Sequence, residues 1–179
     1  MRFSRTAADL LLLSVALIWG GTFVIVRDAV RILPPLFLIG GRFLLALAAL
    51  LAIFPRHHRH WRESFIPGSL LACILLGGFI LQTYGLRYTS ASASGFITGL
   101  NVVLVALIAA ATHGRRLPAR TLFSVTLATL GLIAVSWQPG GWRFGLGDLL
   151  TLGCAVFFAL HIVATGYLAP GRDPVILTT

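Results

Sequence analysis

Charge is scarce in this sequence, and acidity is scarcer still. Charged residues make up 11% of the 179 residues, and the 14 basic residues, all arginine with no lysine, outnumber the five acidic ones. A soluble domain is about one quarter charged, so this composition excludes a sizeable aqueous module. Hydrophobic residues, at 58% of the chain, take the place of the missing charge.

Cysteine is also rare, and the histidines are poorly placed to bind a metal. The two cysteines, Cys73 and Cys154, lie far apart in separate apolar runs and form no C-x-x-C pair. They are typical of small apolar packing residues. The histidines at positions 57, 58 and 60 sit among arginines without a cluster of carboxylates, which favours a basic loop over a metal site. We expect neither a disulfide nor a metal.

Six long apolar runs occupy most of the chain. Each approaches or exceeds the roughly 20 residues that span a hydrocarbon core, and Arg42 is the only charged residue inside any of them. The runs are residues 10–26, 32–54, 64–86, 88–112, 121–137 and 149–168. In lipid every backbone amide needs an internal partner, so such runs must be helices. The sequence predicts an all-α fold, a polytopic transmembrane helix bundle surrounded by the lipid bilayer.

The arginines alternate between the two sides of these runs. Nine of them fall in the N-terminal segment and in the gaps on its side, and four fall in the opposite gaps. Because an excess of basic loop residues marks the cytoplasmic side, we predict a cytoplasmic N-terminus and six crossings of the cell's inner membrane. The same placement argues against nucleic-acid binding. The arginines that give the chain its net charge of +9 lie beside apolar segments and do not form one basic patch.

The fourth run carries three distinct faces. Four polar residues fall on one narrow helical face, small residues on the next, and bulky apolar residues on the third. These faces are, in that order, Ser90, Ser94, Thr98 and Asn101; Ala91, Gly95 and Gly99; and Phe96, Leu100, Val103 and Leu107. We predict that the polar face lines a cavity, that Gly95 and Gly99 pack against a neighbouring helix, and that the bulky face meets lipid. The alternative is that the polar residues only supply hydrogen bonds between helices.

Polar residues in the other runs complete the set of cavity candidates. Arg42 either extends its side chain to the interface or faces an aqueous cavity, where it would attract an anionic group. His161 either bonds to a neighbouring helix or belongs to the pathway. The remaining candidates are Trp19 and Thr22 in the first run and Gln82 in the third.

Nothing in the sequence indicates an enzyme or a cofactor. No aspartate or glutamate lies inside an apolar run, and there is no G-x-S-x-G motif. His161 alone cannot form a nucleophile–base pair. We therefore expect no catalytic residues and no cofactor.

Several short motifs, in order and at their spacing, resemble the EamA-type domain of the drug/metabolite transporter superfamily. They are IWGGTF at residues 18–23, Pro35 with Arg42, GLRYTSA at 85–91, FITGLNVV at 96–103, GRRL at 114–117 and GDLL at 147–150. The sequence departs from the family pattern in two places. Arg115 stands where many relatives have glutamate, and the proline often found in the fourth helix is absent.

The resemblance implies ten helices in two five-helix repeats of inverted topology, with a central cavity and alternating access. On that basis, residues 9–137 form the first repeat, and residues 147–179 begin a second, truncated one that contains its first helix. The implied function is a permease that moves a small metabolite or drug-like solute and is incomplete as this chain. The alternative is a transport-inactive fragment or an assembly subunit of such a permease. The expected partners are a small-molecule substrate and either a missing second half or further copies of the chain.

Overall fold

The fold is a bundle of helices with one very short hairpin. The computed structural model describes residues 5–54, 61–112, 114, 118–138, 141–142 and 144–171. Within these residues the helices are α1 (Arg5–Ala29), α2 (Pro35–Ile53), α3 (Trp61–Gly85), α4 (Ala91–Gly99), α5 (Asn101–Thr112), α6 (Ala119–Ser136) and α7 (Leu146–Leu168). The strands are β1 (Trp137–Gln138) and β2 (Gly141–Trp142).

The predicted polytopic helix bundle is confirmed. Five segments are long and apolar enough to cross a membrane, namely Asp9–Ala29, Pro35–Ile53, Ser64–Gly85, Ala91–Thr112 and Leu146–Leu168. The predicted run at 121–137 largely coincides with helix α6. That this helix crosses the membrane stays a prediction. Most of the arginine-rich loops that carried the topology prediction, and the chain after residue 171, lie outside the described residues.

A small hairpin follows α6. Strands β1 and β2 pair antiparallel, with Trp137 opposite Trp142 and Gln138 opposite Gly141. The sequence between the strands contains proline and glycine, which are common in turns. The hairpin joins α6 to the short lead into α7.

The expectation of one continuous fourth helix is wrong. Helix α4 ends at Gly99 and α5 begins at Asn101, so the 22-residue apolar segment is divided at Leu100. The Leu100 N–H donates to Ile97 O, three residues back at 3.1 Å, and the regular pattern resumes when Leu104 N–H donates to Leu100 O at 3.0 Å. The break therefore forms without the proline that the family pattern places in this helix.

Helices α3 and α7 form the closest-packed pair. A Cβ atom added at Gly77 or Gly78 would lie 2.6 Å from the ring of Phe157 or Phe158, respectively. One added at Gly85 would lie 2.7 Å from the Thr151 hydroxyl. Small residues allow the two helix backbones to approach, which is how packing is obtained between helices in lipid. Helix α7 is accordingly the most buried of the five apolar segments.

The α3–α4 connection is joined to the start of α7. A Cβ on Gly147 would lie 2.7 Å from the Gly85 carbonyl oxygen and from the Thr89 nitrogen, so only glycine fits there. The Thr89 hydroxyl donates to Asp148 Oδ1, and the Gly145 N–H donates to Asp148 Oδ2 at 2.9 Å. Two motifs that lie about sixty residues apart in the sequence, GLRYTSA and GDLL, therefore meet in one contact.

Candidate functional site

A groove opens along α1 at the break between α4 and α5. Its volume is about 630 Å³, and we call it the α1–α4 groove. Small and apolar side chains make most of its wall, and three polar ones contribute. Its lining residues are Ala16, Trp19, Gly20, Phe23, Val24, Ala91, Ser92, Gly95, Phe96, Thr98, Gly99, Asn101 and Val102.

Trp19 in the wall of the α1–α4 groove belongs to a cluster of aromatic rings. Trp19, 40% exposed, lies with its ring centroid 6.2 Å from that of Phe158 on α7. Phe158 is in turn 5.2 Å from Phe79 on α3, in an edge-on arrangement. Because these rings lie on three helices, they fix Trp19 relative to the α3–α7 pair.

Asn101 is the most deeply buried polar residue in the groove wall after Thr98. Its residue is only 6% exposed, yet it stands at the first position of α5 and faces the groove. Within the described part of the chain its side-chain amide has no hydrogen-bond partner. A buried amide left without a partner costs about 1–3 kcal/mol. The residue is therefore a polar group that a bound molecule could satisfy.

A second layer of polar residues holds α4 onto the α3–α7 pair. Gln82 Nε2 donates to Thr98 Oγ1 at 3.3 Å, and the Ser94 and Thr151 hydroxyls are also 3.3 Å apart. Thr151 already donates to the Gly147 carbonyl oxygen at 2.8 Å, so Ser94 is the donor in its pair with Thr151. Thr98 belongs to both layers, while Ser94 and Gln82 lie behind the groove wall.

Three sequence candidates lie away from the groove. The Thr22 hydroxyl donates to the Trp19 carbonyl oxygen in its own helix at 2.6 Å. Arg42 places its guanidinium carbon 4.5 Å from the centroid of the Phe79 ring, in a cation–π contact between α2 and α3. His161 Nδ1 lies 3.1 Å from the Leu71 carbonyl oxygen, so this nitrogen carries a proton in that bond.

The two helix-packing candidates have different surroundings. A Cβ on Gly95 would come within 3.8 Å of the Phe23 ring on α1, whereas one on Gly99 would meet no described atom within 4 Å. Gly99 therefore widens the groove. Phe96, from the bulky face, covers Gly131 of α6, where an added Cβ would lie 2.6 Å from its ring. That bulky side chain meets a helix where the pattern predicted lipid.

Comparison with known proteins identifies the relatives of this fold. The EamA-like transporter family model matches residues 6–137. The chain belongs to the EamA-like transporter family. An uncharacterized transporter of Archaeoglobus fulgidus is 34% identical over 173 residues, which cover 97% of this chain and 53% of the relative. The uncharacterized transporter YvbV of Bacillus subtilis is 29% identical, with 89% of this chain and 53% of the relative covered.

These relatives also define the extent of the match. The chain spans about half the length of the curated relatives it matches. No solved structure matches it significantly. Membership of the EamA-like family, together with the five apolar segments, makes this a multi-pass membrane protein.

Several residues that line the groove of this EamA-like chain were not predicted from the sequence. Phe23 is 7% exposed and lies beside Gly95, and Ala16 and Gly20 open the wall of α1. The paired glycines at 20 and 21 were a usable signal, because glycine in a helix interior often permits a close approach. Phe23, by contrast, resembles any lipid-facing aromatic in the sequence.

The lining of the α1–α4 groove is mainly apolar. None of the described lining residues is acidic, and the only hydroxyl or amide side chains are those of Ser92, Thr98 and Asn101. The described residues contain no group of three or more metal-ligating side chains; the histidines at 57, 58 and 60 lie outside them. The groove offers an apolar surface with a small polar end, which is the usual character of a small-molecule site.

Proposed function

We propose that this chain forms one half of a permease that moves a small solute across the cytoplasmic membrane by alternating access. The α1–α4 groove would be the wall that this half contributes to the solute pathway. The observation that carries the proposal is Asn101, a buried amide without a described partner that lines a groove beside a broken membrane helix. Polar groups inside a membrane bundle are expensive and usually serve a solute pathway.

The broken helix gives this proposal a mechanical basis. Solute sites in repeat-built transporters lie near the middle of the membrane, where discontinuous helices expose backbone groups. Here the division at Leu100 falls inside the segment Ala91–Thr112. Trp19, Thr98 and Asn101 would contact the solute, while Gln82 and Ser94 would hold α4 in place. Thr22, Arg42 and His161 would face parts of the pathway that further helices complete.

A second half of similar size would close the groove. Its length is suggested by the relatives, of which this chain covers 53%. We propose that residues 9–137 are the first repeat and that 147–179 begin the second. The N-terminus would be cytoplasmic, so that a cysteine at position 143, but not one at 59, would react with an impermeant reagent from outside.

Thiol accessibility tests the groove directly. Gly20 and Leu17 are both exposed on α1, with Leu17 at 69%, but only Gly20 lines the groove. In a background where Cys73 and Cys154 are replaced by alanine, we expect Gly20→Cys in membranes to react with a small water-soluble thiol reagent. Leu17→Cys should stay unreactive because it faces lipid. Equal reactivity at both positions would refute a water-accessible groove.

Reconstitution tests the need for a second half. The chain alone in liposomes should take up no solute above empty vesicles. Co-expression with the C-terminal half of the Archaeoglobus fulgidus relative, which is 34% identical over the shared part, should restore uptake of whatever solute that relative carries. Saturable uptake by the chain alone would show that it is complete. Failure of the combined halves, with the relative active, would favour an inactive fragment or an assembly subunit.

A further inference from the structure

The break at Leu100 places the start of a helix in the wall of the α1–α4 groove. Helix α5 has 12 residues, and its first residues, Asn101 and Val102, both line the groove. The first N–H groups of a helix have no partner within that helix, and the dipole makes this end partially positive. Such an end is favourable to an anionic group.

The Asn101 side chain supplies a second, independent indication of a ligand. It is 94% buried, as its 6% exposure implies, and it lines the same groove. Within the described residues it has no hydrogen-bond partner, although neighbouring buried polar residues such as Thr98 and Ser94 each have one. A carboxamide can donate two hydrogen bonds to an acceptor group. The α5 N-terminus and the Asn101 amide could therefore address the same oxygen atoms.

The other lining residues indicate which charge and which shape of ligand the groove would accept. None of the described lining residues is acidic, so none could neutralise a cation, and none is basic, so an anion would depend on the helix end and the Asn101 amide. Trp19 and Phe23 present aromatic surface on the opposite wall, which suits an apolar or aromatic body. A volume of about 630 Å³ accommodates one ring with a short side chain.

We propose that the α1–α4 groove binds a small organic anion: a monocarboxylate with an apolar body. Its carboxylate accepts hydrogen bonds at Asn101 and the first turn of α5, and its body packs against Trp19 and Phe23. The inference rests on the proposed function and assigns its substrate class. It excludes amines and disfavours zwitterionic amino acids, because their ammonium group would lose water without gaining a carboxylate partner.

Four compounds with the same phenyl body separate these alternatives: 3-phenylpropionate, phenylalanine, 3-phenylpropanol and phenethylamine. Binding to the full chain in lipid nanodiscs is measured by quenching of Trp19 in a variant with Trp61, Trp137 and Trp142 replaced by phenylalanine. Equilibrium dialysis with the unmodified chain repeats the series without the reporter. We expect 3-phenylpropionate to bind at least about tenfold more tightly than the other three, since a hydrogen bond to a charged group contributes about 1.5–3 kcal/mol.

Variants at one position identify the group responsible. Asn101→Leu should weaken 3-phenylpropionate about tenfold and leave 3-phenylpropanol unchanged. Asn101→Asp should abolish binding of the anion and allow phenethylamine to bind. Thr126→Val on α6, whose hydroxyl bonds the Leu122 carbonyl oxygen of its own helix and does not line the groove, is the control and should change neither.

The outcomes distinguish this inference from the proposed function. Equal binding of all four compounds, or an anion affinity unaffected by Asn101→Leu, overturns the carboxylate site and leaves the groove intact as a solute wall. Absence of binding by every compound in both measurements overturns the carboxylate site, and the thiol-accessibility and reconstitution experiments then decide the proposed function. Tighter binding of phenylalanine than of 3-phenylpropionate also overturns the assignment, because it requires an ammonium partner that the groove lacks among its described residues.

Discussion

Glycine has opposite roles at the α3–α7 interface and in the α1–α4 groove. At the interface, Gly78 and Gly147 are glycine because an added Cβ would lie within 2.7 Å of another residue. In the groove, Gly20 and Gly99 have no described atom within 4 Å of such a Cβ. One set of glycines lets helices touch, and the other leaves space. The bundle thus combines a closely packed helix pair with a groove whose wall has open space at its glycines.

We expect the largest loss in the free energy of unfolding from a substitution that adds a side chain at Gly147. Gly147→Ala would push a methyl group into the backbone of Gly85 and of the α3–α4 connection, at 2.7 Å. Overpacking of this kind costs up to about 3 kcal/mol, and a backbone cannot move aside as a side chain can. The measurement is reversible unfolding of the chain in mixed micelles.

Gly20→Ala is the control for that change. An added methyl has open space there, and alanine is favoured over glycine in a helix by about 0.5–1 kcal/mol. We expect no loss of stability and a small gain. Losses of similar size at both positions would contradict the distinction between interface and groove.

A smaller effect is expected at Thr98, which belongs to both regions. Thr98→Val leaves the buried Gln82 amide without its acceptor, at a cost of about 2 kcal/mol. Ser94→Ala should cost only about 0.6 kcal/mol, the average for a hydrogen bond between membrane helices, because Thr151 keeps its bond to Gly147. Unfolding of the two variants side by side measures the difference. The reverse order would mean that Gln82 finds another partner.

The next effect concerns the start of α7. Asp148→Ala removes acceptors for the Thr89 hydroxyl and the Gly145 N–H, and we expect it to cost about 1.5 kcal/mol. A double-mutant cycle with Thr89→Val should give a coupling energy near 1 kcal/mol. Additive losses would show that the Thr89–Asp148 bond contributes nothing to the attachment of the α3–α4 connection.

The smallest effect is expected at Arg42, outside both regions. Its contact with the Phe79 ring is worth about 0.5–1 kcal/mol, the range for an exposed pair. Arg42→Gln should therefore change the free energy of unfolding by about 0.5 kcal/mol. Binding of 3-phenylpropionate in the groove should stay within twofold of the original affinity. A loss of 2 kcal/mol or more would indicate a structural partner for Arg42 inside the bundle.

The sequence by itself determined the class of fold and the positions of the helices. Long runs without charge can satisfy their backbone in lipid only as helices, and five of the predicted runs correspond to apolar membrane segments. The motifs that resembled EamA-type domains led to the right family. The limits of the apolar runs also lie within a few residues of most helix ends.

Tertiary structure alone decided which polar residues meet and which stay free. One helical face carries Ser94, Thr98 and Asn101, yet Ser94 turns to Thr151, Thr98 bonds Gln82 from α3, and Asn101 alone has no partner among the described residues. The break at Leu100 separates Asn101 from Ser94 and Thr98, and no proline in the sequence predicts this break. Periodicity reports the direction of a side chain from one helix axis; what that side chain meets depends on where the other helices lie.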